Sequence, residues 1–101
     1  MTPTDNPVLQ RFRAVLDQAY GSRIERVVLP GGLDARAEAD FEVAVFLHGL
    51  SDRWQELDRL ADIGSMMLQE TGTWIHAMAY AAGSWRDPTP RMHEIRQGVD
   101  L

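Results

Sequence analysis

Residues 27–47, VVLPGGLDARAEADFEVAVFL, constrain this chain more than any other stretch. Two apolar runs flank a Gly-Gly turn and an acid-x-acid step, Asp40-Phe41-Glu42. Short runs of β-branched and aromatic residues bounded by Gly and Pro read as strands. Residues 23–29, RIERVVL, are therefore expected to form one strand that stops at Pro30-Gly31-Gly32. Residues 41–47, FEVAVFL, form a second, mostly apolar strand that stops at His48-Gly49.

Helical patterns surround this pair. Asp5 or Asn6 can cap a helix with Pro7 in its first turn. Val8, Leu9, Phe12, Val15, Leu16 and Ala19 then recur at helical spacing as far as Gly21. Ser51 or Asp52 can cap a long helix carrying Trp54, Leu57, Leu60, Ala61, Met67 and Leu68 on or near one face, ending around Thr71-Gly72. Residues 73–80, TWIHAMAY, read as a third strand and residues 81–88 as a loop. Thr89-Pro90 opens a short last helix. The order α-β-β-α-β-α predicts an α/β (α+β) fold: a small mixed sheet of about three strands, covered on one face by helices. Trp54, Met66, Met67 and Trp74 are expected in the core or in helix packing, and His48 and His93 on the surface.

A chain of 101 residues without repeats, linkers or low-complexity segments suits one domain spanning 1–101. Its 45% apolar and 25% charged content argues against disorder. No apolar run approaches the roughly 20 residues that span a bilayer, and the first ten residues lack a signal-peptide pattern. No membrane association and a cytoplasmic location are the expectation. The net charge of −5 disfavours general nucleic-acid binding, which requires a basic face. All ten basic residues are arginine, so neither a catalytic lysine nor a P-loop lysine is available. With no cysteine, metal ligands must come from carboxylates or the three histidines.

The chemistry-bearing candidates cluster in the opening stretch. Asp40 and Glu42 lie two apart at a strand start and project from one face, where two carboxylates can share Mg²⁺. They also fit a solvated strand end. Gly31 and Gly32 can bring backbone N–H groups close to a phosphate, or simply make a tight turn. His76 has the pKa range of a general base, and equally fits a hydrogen-bonded, half-buried strand position. Trp85 and Arg86 are residue types enriched at interfaces, although Trp85 can also fold back as a lid on the core.

The combination strand, Gly-Gly, short loop, acid-x-acid, strand resembles the signature of the minimal nucleotidyltransferases of the DNA polymerase β superfamily. In that family a strand ends in a Gly-Ser pair, an Arg- and Gly-rich segment follows, and Asp-x-Asp opens the next strand, as in LFGSRARG…SDYDVAVFL. The long helix, RWQELDRLADIGSMMLQETG, and the tail, TPRMHEIRQGVDL, are also similar to small bacterial members, so the likeness covers nearly the whole chain. The resemblance implies nucleotide binding at Gly31 and Gly32, catalytic and metal-binding roles for Asp40 and Glu42, and Mg²⁺ and ATP as cofactors. It further implies a helical ribonuclease-type toxin as partner, this chain being the antitoxin, with transfer of AMP to a tyrosine of that toxin as the family mechanism.

The departures bear on the activity. Gly32 stands where the family has serine, and Pro30 where an aromatic is usual. The interval between the glycines and the acids, LDARAEA, is shorter than the family's, with Arg36 left to stand in for its missing arginine. Glu42 replaces the second aspartate, and the strand expected to carry a third carboxylate contains no acid. Because transfer depends on metal placement to fractions of an ångström, these changes together imply impaired or absent transferase activity. A self-associating, non-enzymatic interaction module is the remaining reading.

Overall fold

A computed structural model describes residues 6–30 and 41–101. Helix α1 spans Pro7–Tyr20. The Asn6 side chain accepts from the N–H groups of Val8 (2.9 Å) and Leu9 (3.3 Å), and Pro7 occupies the position where no N–H is needed. Leu9, Phe12, Leu16 and Tyr20 recur every three or four residues and are buried. A 3-10 turn, Gly21–Arg23, leads into strand β1, Ile24–Leu29. Strand β2, Phe41–Leu47, is followed by helix α2, Arg53–Thr71. Asp52 caps α2 by accepting from Gln55 N–H at 3.1 Å, and Gly72 ends it at φ 79°. That left-handed conformation favours glycine. Strand β3, Ile75–Ala81, a second 3-10 turn, Ser84–Arg86, and helix α3, Pro90–Arg96, complete the expected elements. Thr89 caps α3 by accepting from Met92 N–H at 3.2 Å.

The sheet is mixed, as expected, but among the described residues it has four strands, in the order β3-β2-β1-β4. The fourth, β4 at Val99–Asp100, is two residues long and has no periodicity to reveal it; pairing with Val28 and Leu29 of β1 defines it. β1 is antiparallel to β2 and to β4, while β3, reached through α2, is parallel to β2.

Both faces of the sheet are covered, which corrects the one-sided sandwich expected from the sequence. On one face, α1 and α2 bury Phe12, Leu16, Leu60 and Met67 against Val27, Val43, Val45, Leu47 and Ile75. On the other, α3 lays Met92 and Ile95 over Val28, Ala44 and Phe46, with Tyr80 and Trp85 packed alongside. β2 feeds alternate residues to the two clusters, which explains why FEVAVFL is almost continuously apolar. Trp54 and Met66 are not core: they are 79% and 37% exposed. Apolar residues on α2 spread over a wider arc than the sheet covers, so Met67 is buried while its neighbour Met66 is not. Trp74 is half-buried.

Candidate functional site

Gly31, Gly32, Arg36 and Asp40 lie outside the described residues. What is described is the end of the sheet from which that segment leaves and to which it returns. Leu29 ends β1 and pairs with Val99; Phe41 opens β2, its N–H donating to Trp74 O at 3.0 Å. Glu42 follows on the α3 face of β2 and is exposed. Its register partner on the parallel neighbour β3 is His76. The strand on which the resemblance puts a third carboxylate therefore sets an imidazole beside Glu42.

Glu42 is also engaged. Its Oε1 accepts from Nη2 of Arg91, which α3 presents across the sheet end. Arg91 donates through Nε toward the Tyr80 hydroxyl at 3.5 Å and reaches Glu94 Oε2 at 3.5 Å. Its pKa is pushed up, first by the Tyr80 contact and then by the Glu42 carboxylate, with burial opposing. Arginine is charged at any working pH, so this exposed pair sets a cation beside the acid. A divalent ion at Glu42 would have to displace or sit beside that charge, against direct Coulomb repulsion. Among the described residues, no group of three or more His, Asp or Glu side chains could hold a metal ion. Of the two acids that the resemblance assigns to Mg²⁺, Glu42 is the described one, and Arg91 holds it.

His76 is exposed rather than half-buried, with its ring edge-on to Trp74 at 5.3 Å. His48 and His93 are exposed too, as expected. Trp85 is not a free contact: it is the lid alternative. Its indole N–H donates to Glu25 Oε1 at 2.9 Å, and the guanidinium groups of Arg26 and Arg86 lie 4.6 and 4.5 Å from its ring. Glu25 can meet it because β1 carries one extra residue between its pairings at Ile24 and Arg26, a bulge that re-aims the side chain. The same Glu25 oxygen accepts from Gly83 N–H at 2.8 Å. Arg96 Nη1 closes the turn by donating to the carbonyls of Trp85 (2.6 Å) and Asp87 (2.9 Å).

A second polar group lies under α1 and α2, and no local sequence signal announces it. Glu56 is 8% exposed and pairs with Arg23 Nη2 at 3.1 Å. The Tyr20 ring lies 5.6 Å from the Arg23 guanidinium and 5.5 Å from that of Arg59. Burial first, then the neighbouring Glu56 carboxylate, raises the Tyr20 phenol well above its ordinary range. The Tyr20 hydroxyl and Glu56 Oε2 approach without completing a hydrogen bond of good geometry. This is a buried structural group, remote in the fold from Glu42.

Among the described residues, no helix is long and apolar enough to cross a membrane. Compared with known proteins, the chain matches no family model, no curated protein and no solved structure.

Proposed function

We propose that this chain is a nucleotidyltransferase-fold protein that acts by binding, as the antitoxin-type partner of a helical ribonuclease-type toxin, with transferase chemistry impaired or absent. Two features support the fold part of this reading. The sequence between β1 and β2 carries the Gly-Gly and acid-x-acid pattern, and β3 returns parallel to β2 after a long helix. That order brings the end of β1 and the starts of β2 and β3 to one end of the sheet.

The observation that carries the loss of chemistry is the Glu42–Arg91 ion pair with His76 in the neighbouring register. Phosphoryl and nucleotidyl transfer uses metal ions to neutralise the triphosphate and hold it in line. One acid already neutralised by arginine, beside an imidazole, is a poor metal holder. With Ser replaced by Gly32, the phosphate side of the site has also lost a hydroxyl donor.

The test is co-expression and co-purification with the product of the adjacent gene, followed by incubation with labelled ATP and Mg²⁺. The expected result is a stable complex and no label on either protein. Label on a tyrosine of the partner, lost in Asp40→Ala, would establish an active AMP transferase instead. Absence of any complex would remove the antitoxin reading.

A further inference from the structure

We infer that residues 83–98, which carry the second 3-10 turn and α3, form a strap that opens and closes as one unit while the rest of the fold stays in place. Opening uncovers Val28, Ala44 and Phe46 and frees Glu42 from Arg91 in the same event. The inference does not depend on the proposed function.

The strap is pinned at both ends. Before it, Ala82 N–H donates to Leu47 O at 3.0 Å. After it, Leu101 N–H donates to Val27 O at 2.9 Å, and the Leu101 side chain packs against the cluster under α1 and α2. At the second pin Gly98 lies so close to β1 that a Cβ there would stand 2.4 Å from the Leu29 carbonyl oxygen.

Between the pins the hold is light. The larger core lies under α1 and α2, and among the described residues the strap supplies none of its buried members. The core on the other face has five buried residues, of which Met92 and Ile95 come from the strap. Trp85 adds its ring and an N–H bond to Glu25, an oxygen that Gly83 N–H also reaches. The Arg91–Glu42 pair is exposed on both sides, and such pairs contribute little. A helix of 7 residues is shorter than the roughly 12–15 that persist alone in water, so α3 depends on lying against the sheet. These few contacts must offset the backbone entropy lost in ordering the whole strap.

The opened molecule keeps its main core, and Phe46 keeps its stack on Tyr80 of β3 at 5.4 Å. Segments with few buried apolar contacts open at free energies well below that of global unfolding. The strap moves as a unit because its parts are tied to one another. Arg96 Nη1 of α3 donates to the carbonyls of Trp85 and Asp87, and Thr89, the cap of α3, donates its N–H to Asp87 O at 2.9 Å. Helix and turn therefore lift together.

Hydrogen exchange of the full chain, followed by NMR and corrected for intrinsic rates, is the test. The amides of His93 and Ile95 and the Trp85 indole N–H should share one opening equilibrium, at least about a hundredfold more populated than that of Val43 and Val45 in β2. Leu60→Ala, in the larger core, weakens closed and opened forms alike. It should speed β2 exchange by about thirtyfold or more and strap exchange by less than about twofold. Ile95→Ala should speed both by the same factor, because Ile95 is buried against the sheet only when the strap is closed. Should Leu60→Ala not fold, wild type in urea below its unfolding midpoint decides. Strap exchange should then rise less steeply with urea than β2 exchange, since less surface opens. Equal urea slopes, or a Leu60→Ala that speeds both regions alike, mean that the strap leaves only with the whole fold and overturn the inference. A Trp85 indole that exchanges separately from the α3 amides overturns it too.

Discussion

Gly64→Ala sets helix propensity against packing. Glycine inside a helix costs about 1 kcal/mol relative to alanine, so propensity alone predicts that the substitution stabilises α2. The structure reverses the sign. A Cβ at position 64 would lie 2.7 Å from the Ile75 carbonyl oxygen, with Trp74 ring carbons at 3.5 and 3.6 Å. The ring atoms are at ordinary contact distance; the carbonyl belongs to β3's backbone and cannot rotate aside. Either α2 lifts from the sheet or β3 bends. Overpacking of this kind costs about 1–3 kcal/mol, and subtracting the propensity gain leaves a net destabilisation of about 1 kcal/mol. For a domain of this size that lowers Tm by about 4–8 °C. Thermal melts and urea titrations at one fixed protein concentration measure it, with an unchanged m-value showing that only stability moved. Ser65→Ala, at the exposed neighbouring position, supplies the control and should raise stability by a few tenths of a kcal/mol. A Gly64→Ala protein as much stabilised as propensity predicts would refute the close approach of α2 to β3.

Three further outcomes follow from the packing. Phe46→Ala should cost about 3–5 kcal/mol in urea unfolding, because Phe46 is fully buried and stacked on Tyr80 at 5.4 Å. Trp85→Phe should cost about 1 kcal/mol by removing the indole donor from Glu25, and a fold as stable as wild type would show that the lid contact contributes nothing. Tyr20 gives a pH signature. Its folded pKa is raised above the unfolded value of 10.0, so its contribution is fully present below pH 10 and is lost as pH rises from there toward the folded value. In spectrophotometric titration the Tyr20 phenol should ionise only as the protein unfolds, and Tyr20→Phe should flatten that alkaline loss of stability; a Tyr20 that titrates freely near 10 would contradict its burial.

Most of the fold was legible because its signals are local. Asn6, Asp52 and Thr89 cap the helices as their side chains suggest, and Gly72 ends α2 where a left-handed residue is needed. FEVAVFL is β2 residue for residue. What escaped depends on partners distant in sequence. Two residues of β4 become a strand only against β1, and the second covered face exists only because α3 returns over Phe46. Trp54 reads as core by composition, yet its position on the α2 arc leaves it exposed. The Glu25 bulge has no glycine or proline to mark it. At the candidate site, Glu42 was visible as an acid beside an apolar strand, but the arginine that holds it comes from α3, at the far end of the chain. Asp40, Gly31 and Gly32 rest on the sequence pattern alone.

Isothermal titration of the purified protein with ATP and Mg²⁺ tests the proposed loss of metal-dependent nucleotide chemistry most directly. The account predicts no heat beyond dilution at millimolar ATP, for wild type and Asp40→Ala alike. Saturable, Mg²⁺-dependent binding of ATP that disappears in Asp40→Ala would contradict it.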